Sequence, residues 1–311
     1  MGISTYNYPQ QSTNIQKFSY LDGIRNNVRK NHCAVGGLQQ DTFVRSGENV
    51  CPETFELEKL FPNGEIYNIC EDIIRNYGLE TPPEIRFVSE KDNNDYASAK
   101  YITNKVDINL NKLLSPNMYK FKIKKGEKES YLFDDDTKRI SIIDTTDKDL
   151  LNEVISYNKN KNNADSCTVE PLSDNDKRKL VIQTIAHELR HCYQRQIIRH
   201  TEGLDEFKMI EEQLRKNPNK PKMNLIEEKL AYINLKNEYM KHYKEKDFEK
   251  IYTQSSFEGT KACEWYDAIV NYVNYESDYE GYKKNAIELD ANNIGNQYLI
   301  NNYGNFEGID K

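Results

Sequence analysis

Apolar positions recur at helical spacing in EIYNICEDIIRNYG (residues 65–78), where Ile66, Ile69, Cys70, Ile73 and Ile74 share one face and Gly78 stands ready as a C-cap. The period then shortens. EIRFVSE (84–90) and DYASAKYIT (95–103) read as short strands, and KVDINLN (105–111) alternates Val106, Ile108 and Leu110 with Asp107 and Asn109. Residues 116–170 combine a basic hairpin in YKFKIKKGEKESYLF, an acidic turn, a strand in RISIID, and the polar NKNKNNADS (158–166), which reads as a surface loop.

A longer helix follows. Ser173 and Asp176 form an S-x-x-D capping pattern, and Leu180, Val181, Ile185, Leu189, Cys192, Tyr193 and Ile197 carry the helical apolar pattern to about His200. Two charged helical stretches occupy residues 204–250, separated by NPNKPK, whose prolines break any continuous helix. GTKACEWYDAIVNYVNY and YKKNAIELDANNIGNQYLINNY predict two further helices rich in aliphatic and aromatic residues. Residues 1–50 are polar, with no sustained period, and read as a flexible leader. The expected organisation is therefore that leader, then one domain over 51–311 with a charged helical insertion at about 204–250.

Composition narrows the function classes. The 311 residues suffice for a sizeable core, but only 37% are apolar and 30% are charged, which fits one compact region carrying polar appendages. A net charge of -7 disfavours a broad phosphate-binding surface, so nucleic acid is not expected as a partner. The six cysteines show no C-x-x-C pair and are read as reduced thiols. No apolar run reaches the ~20 residues of a membrane span and no secretory signal opens the chain, so the expected location is the cytoplasm.

Candidate chemistry concentrates in TIAHELRHCYQ (184–194), mid-way along the long helix. Residues four apart on a helix stand one above the other, so His187 and His191 can aim imidazole nitrogens at one point. That suits tetrahedral zinc with room for a third ligand and a water. Glu188, one step round, can act as general base toward that water. Chance matches to H-E-x-x-H in such a chain number on the order of 0.01, and few would fall on a capped amphipathic helix behind a sheet. Cys192 turns about 100° away from His191 and reads as packing.

These residues resemble the zincin metallopeptidases, and within them the gluzincins, whose third ligand is a glutamate. The resemblance implies an α+β, zincin-like fold: a small mixed sheet with an active-site helix, followed by a mainly helical C-terminal part. It also implies a Zn2+ cofactor and hydrolysis of a protein or peptide substrate. IELDANNIG is similar to the E-x-x-A-(N/D) pattern of such enzymes and would make Glu288 the third ligand, with Ala291 and Asn292 on its face and Asp290 turned elsewhere. Glu264 in EWYDA, with Ala268 on its face, is the rival. The resemblance further suggests KVDINL as the edge strand that pairs with substrate, and Tyr282, Arg190 or His200 as an oxyanion donor. Two other functions use the same scaffold: a non-catalytic binding or regulatory module, and a zinc amidase acting on a non-peptide amide.

Overall fold

Helices α1 (Pro52–Leu60) and α2 (Glu65–Tyr77) begin the part of the chain described by a computed structural model, which covers residues 52–89, 95–133, 139–216, 225–243, 251–272, 278, 281–282 and 284–306. The leader at 1–50 and the NPNKPK break lie outside those residues. Helix α2 buries Ile66, Ile69, Cys70 and Ile73. It ends at Gly78, whose φ of 64° is left-handed, with Leu79 N donating back to Ile74 O at 3.1 Å. This is the glycine-closed C-cap that the sequence announces.

Strands β1 (Glu84–Val88), β2 (Ala97–Lys100) and β3 (Lys105–Asn109) form a mixed sheet in the order β1-β3-β2, with β3 parallel to β1 and antiparallel to β2. Strand β3 is therefore central, and the expectation that KVDINL forms the edge is corrected. Its backbone groups are used on both sides, and chain order alone does not reveal that β1 takes the far flank. Of the two outer strands, it is β2 that packs beside the long helix. Asp107 is buried within β3 because Arg86 binds it at 2.6 and 2.7 Å and Lys100 reaches it from β2.

After the short helix α3 (Leu110–Leu113), a second sheet is built on β4 (Met118–Lys125). Strands β5 (Lys128–Tyr131) and β6 (Ile142–Asp144) pair with it, and β7 (Ser166–Pro171) pairs with it as well, all antiparallel. Helix α4 (Lys148–Lys161) takes up the first four residues of NKNKNNADS, so the expected loop is shorter than read. Val154, Leu150, Leu151 and Ile155 of α4 hold it against this sheet.

Helix α5 (Asp174–Arg199) starts on a full capping box: Ser173 Oγ accepts from Asp176 N at 3.1 Å, and Asp176 Oδ2 accepts from Ser173 N at 3.1 Å. The same carboxylate receives Lys120 Nζ of β4 at 2.8 Å, a buried ion pair that ties the helix start to the second sheet. Helix α5 is buried on almost every side, because the first sheet and α2 cover one flank and the C-terminal helices the other.

Helices α6 (Glu206–Lys216) and α7 (Leu225–His242) make up the charged stretch, and α8 (Phe257–Val270) and α9 (Ala286–Tyr303) follow it. The charged pair does more than coat the exterior: Phe207, Ile210, Leu235 and Tyr239 form a small core of their own, with Ile102 packed against it. Among the described residues no helix is long and apolar enough to cross a membrane. Helix α9 lies along α5, stapled by Gln183 to Asn296, by Gln194 to Ile287 O at 2.9 Å, and by Arg190 to Asp290 at 2.7 Å.

Candidate metal centre

His187 and His191 stand one turn apart on α5, and Glu288 enters from the first turn of α9. Their donor atoms converge: His187 Nε2 and His191 Nε2 are 3.0 Å apart, and Glu288 places Oε2 at 3.4 Å from the first and Oε1 at 3.6 Å from the second. Two ligands about 2.05 Å from a tetrahedral zinc ion are separated by about 3.3 Å. The three observed separations bracket that value, so the donor set fits such an ion in number, type and spacing. Among the described residues this is the only group of histidine, cysteine or carboxylate side chains gathered closely enough to hold a metal.

The surroundings orient these donors. Gln194 Nε2 donates to Ile287 O at 2.9 Å and to Asp290 Oδ2 at 2.8 Å, and both partners are acceptors. That fixes which end of the amide is nitrogen, so Gln194 Oε1, 2.8 Å from His191 Nδ1, has to accept. The Nδ1 of His191 thus carries the proton and its Nε2 faces the centre, the tautomeric control that metal-binding histidines usually receive from a neighbour. His187 Nδ1, by contrast, is buried with no hydrogen-bond partner.

Glu288 is held from behind by two phenols. Tyr282 Oη donates to Oε2 at 2.8 Å and Tyr272 Oη to Oε1 at 3.2 Å. Burial would raise the Glu288 carboxyl, but His191 and His187 beside it hold it well below the usual carboxylate range. Burial lowers the His187 imidazole to about 3, assisted by the Arg139 guanidinium and by His191. His191 behaves oppositely: burial opposes its charge, yet Glu288 and Glu188 push it up to about 9.

Glu188 stands beside this set rather than in it. It is 9% exposed, and burial, reinforced by the Glu288 charge, pushes its carboxyl up to about 7. A carboxyl poised near neutrality both takes and returns a proton readily.

No protein-family model, characterised protein or solved structure matches the chain.

The structure brings together His187, Glu188, His191 and Glu288, and leaves the other candidates outside. Glu264 lies on the surface of α8, its side chain 49% exposed and paired with Lys261 at 2.8 Å. Asp290 is turned toward Arg190 and Gln194, as its place on the helix predicts. Arg190 is thereby occupied, and His200 caps α5 near Glu80, 3.4 Å away. Of the three proposed electrophiles only Tyr282 reaches the centre. Asn292 is buried on the Glu288 face, but its Oδ1 makes no hydrogen bond. Sequence reasoning missed Gln194, Tyr272 and Arg139. Gln194 alone had a visible signal, three residues after His191 on the same helix.

Proposed function

We propose that the protein is a zinc-dependent metallopeptidase of the zincin type, with Zn2+ held by His187, His191 and Glu288 and with Glu188 as general base. The observation that carries this reading is the convergence of two imidazoles and a distant carboxylate, at tetrahedral spacing, beside a second carboxyl tuned toward pH 7. Zinc bound there would act as a Lewis acid toward a substrate carbonyl and make water more acidic.

Glu188 removes a proton from the attacking water on its carboxylate and later returns it to the departing amine. Gln194 keeps His191 in the tautomer that presents Nε2. Tyr272 and Tyr282 hold the Glu288 carboxylate in its orientation toward the histidines. The outer strand β2, next to α5, offers a backbone edge along which an extended peptide can pair, a role that central β3 cannot take.

The test is Glu188→Gln. The variant is expected to bind one zinc per chain as the parent does while losing about 10²- to 10⁴-fold in peptide hydrolysis. Cleavage at the parental rate overturns the assignment.

A further inference from the structure

South of the centre along α5, the helix carries a second kind of chemistry. Residues 188, 192, 195 and 199 form one stripe, and its far end, Arg195 and Arg199, lines a small, narrow cleft together with Tyr101, Lys100, Lys105 and Tyr243. No carboxylate lines it among the described residues. Nearby acids only partly balance these cations. Glu206 serves both guanidiniums, 2.7 Å from Arg199 and 3.5 Å from Arg195, while Asp107 is shared by Lys100 and Arg86, and Lys105 pairs with Glu84 at 3.0 Å.

Arg195 is the key group. It is 4% exposed, its guanidinium lies 3.9 Å over the Tyr101 ring, its Nη1 meets Glu206 only as an ion pair at 3.5 Å, and its Nε makes no hydrogen bond. A buried cation with unused donors is expensive to keep, and an incoming anion relieves that cost.

The cleft also has a fixed relation to the proposed chemistry. Seven residues of helix separate Glu188 from Arg195, about 10.5 Å along the axis. An extended peptide covers that in about three residues. Lys100 ends β2 and is paired in register with Lys105, so the cations sit at the end of the strand beside which a peptide would lie. The Tyr101 ring lies between the two groups of charges: burial raises its hydroxyl, Arg195 on its face opposes that rise, and the carboxylates of Glu188 and Glu288 add to it.

We propose that this cleft is the subsite for a carboxylate of the substrate, from an acidic side chain or a chain terminus, about three residues from the bond that is cut. The inference rests on the peptidase reading for the identity of its ligand, and its test separates the two.

The full-length, zinc-loaded protein is first titrated with inorganic phosphate and with acetate as free-anion probes, by NMR or calorimetry. Peptide pairs that differ only in one carboxylate, acid against amide, are then compared by kcat/KM. Saturable anion binding is expected, lost in Arg195→Gln and weakened in Lys105→Gln; the second substitution lies on the partly exposed side of β3 and serves should the first fail to fold. Acid peptides are expected to be cleaved about 10- to 100-fold faster than their amides, the value of one charge-assisted hydrogen-bonded contact, and that ratio should fall toward one in both variants. Equal rates for acid and amide overturn the substrate assignment even if phosphate binds, since the cleft then takes a free anion. Absence of both anion binding and acid preference overturns the subsite altogether. If no peptide is cut, anion binding that disappears in Arg195→Gln upholds the anion site while the peptidase reading falls.

Discussion

Gly295 of α9 rests against the backbone of His187: a Cβ built at residue 295 would lie 3.2 Å from His187 N and 3.5 Å from its Cα. The absent side chain lets α9 approach closely enough for Glu288, two turns earlier, to meet the two imidazoles. Replacement by alanine makes the helices separate by a few tenths of an ångström, and both partners are backbone, which yields poorly. Gly295→Ala is expected to cost about 1–3 kcal/mol in thermal or urea unfolding and about 10- to 100-fold in zinc affinity by competition with a chromophoric chelator. Unchanged affinity would show that α9 can shift without disturbing the donors.

The choice between the two glutamates is directly measurable. Glu288→Ala should abolish stoichiometric zinc, because two histidines alone leave half a tetrahedral shell. Glu264→Ala removes a surface group paired, among the described residues, with Lys261 and should change neither zinc content nor stability by more than about 0.5 kcal/mol. The reverse pattern, read by metal analysis of the purified variants, would remove Glu288 from the centre.

Two phenols share the task of steadying Glu288, and their distances rank them. Tyr282→Phe, which deletes the 2.8 Å bond, is expected to weaken zinc binding more than Tyr272→Phe, which deletes the one at 3.2 Å. The pair together should lose about 10- to 100-fold. The double variant distinguishes cooperation from independence, and parental affinity in it would show that the hydroxyls do not orient the carboxylate.

Two thiols, Cys70 in the core and the half-buried Cys192, give the protein a predictable alkaline limit. Burial pushes both Cys70 and Cys192 up to about 12, from an ordinary value near 9. The folded state therefore keeps protons that the unfolded chain surrenders. Their contribution is complete below pH 9 and is lost as pH rises toward 12, by about 1.4 kcal/mol per pH unit for each thiol within that window. Unfolding free energies measured between pH 8 and 10.5 should decline, and Cys70→Ala/Cys192→Ala should flatten the decline. A slope that the double variant retains would assign it to other groups.

The features legible in the sequence were those written in short range. The Ser173–Asp176 capping box, the Gly78 cap and the facing of His187 and His191 depend only on helix geometry, and the structure places all of them where the spacing does. Glu288 needed long-range packing to reach the histidines, yet its helix face was readable. Strand order was not: alternation marks 105–109 as a strand with equal force whether β1 pairs with it or solvent does. Tyr272 and Arg139 were equally hidden, since a phenol among many and a guanidinium in a strand-rich segment gain their meaning only from what the fold sets beside them. Arg195 looked like an ordinary charge on a helix because its burial comes from Tyr101 and from α6, both distant in the chain.

His191 precedes Glu288 by 97 positions. A ribosome therefore releases both imidazoles well before the acid that completes the set, and any fragment that stops short of α9 carries an unfinished centre. The gathering of the three donor side chains therefore waits on the docking of α9 against α5.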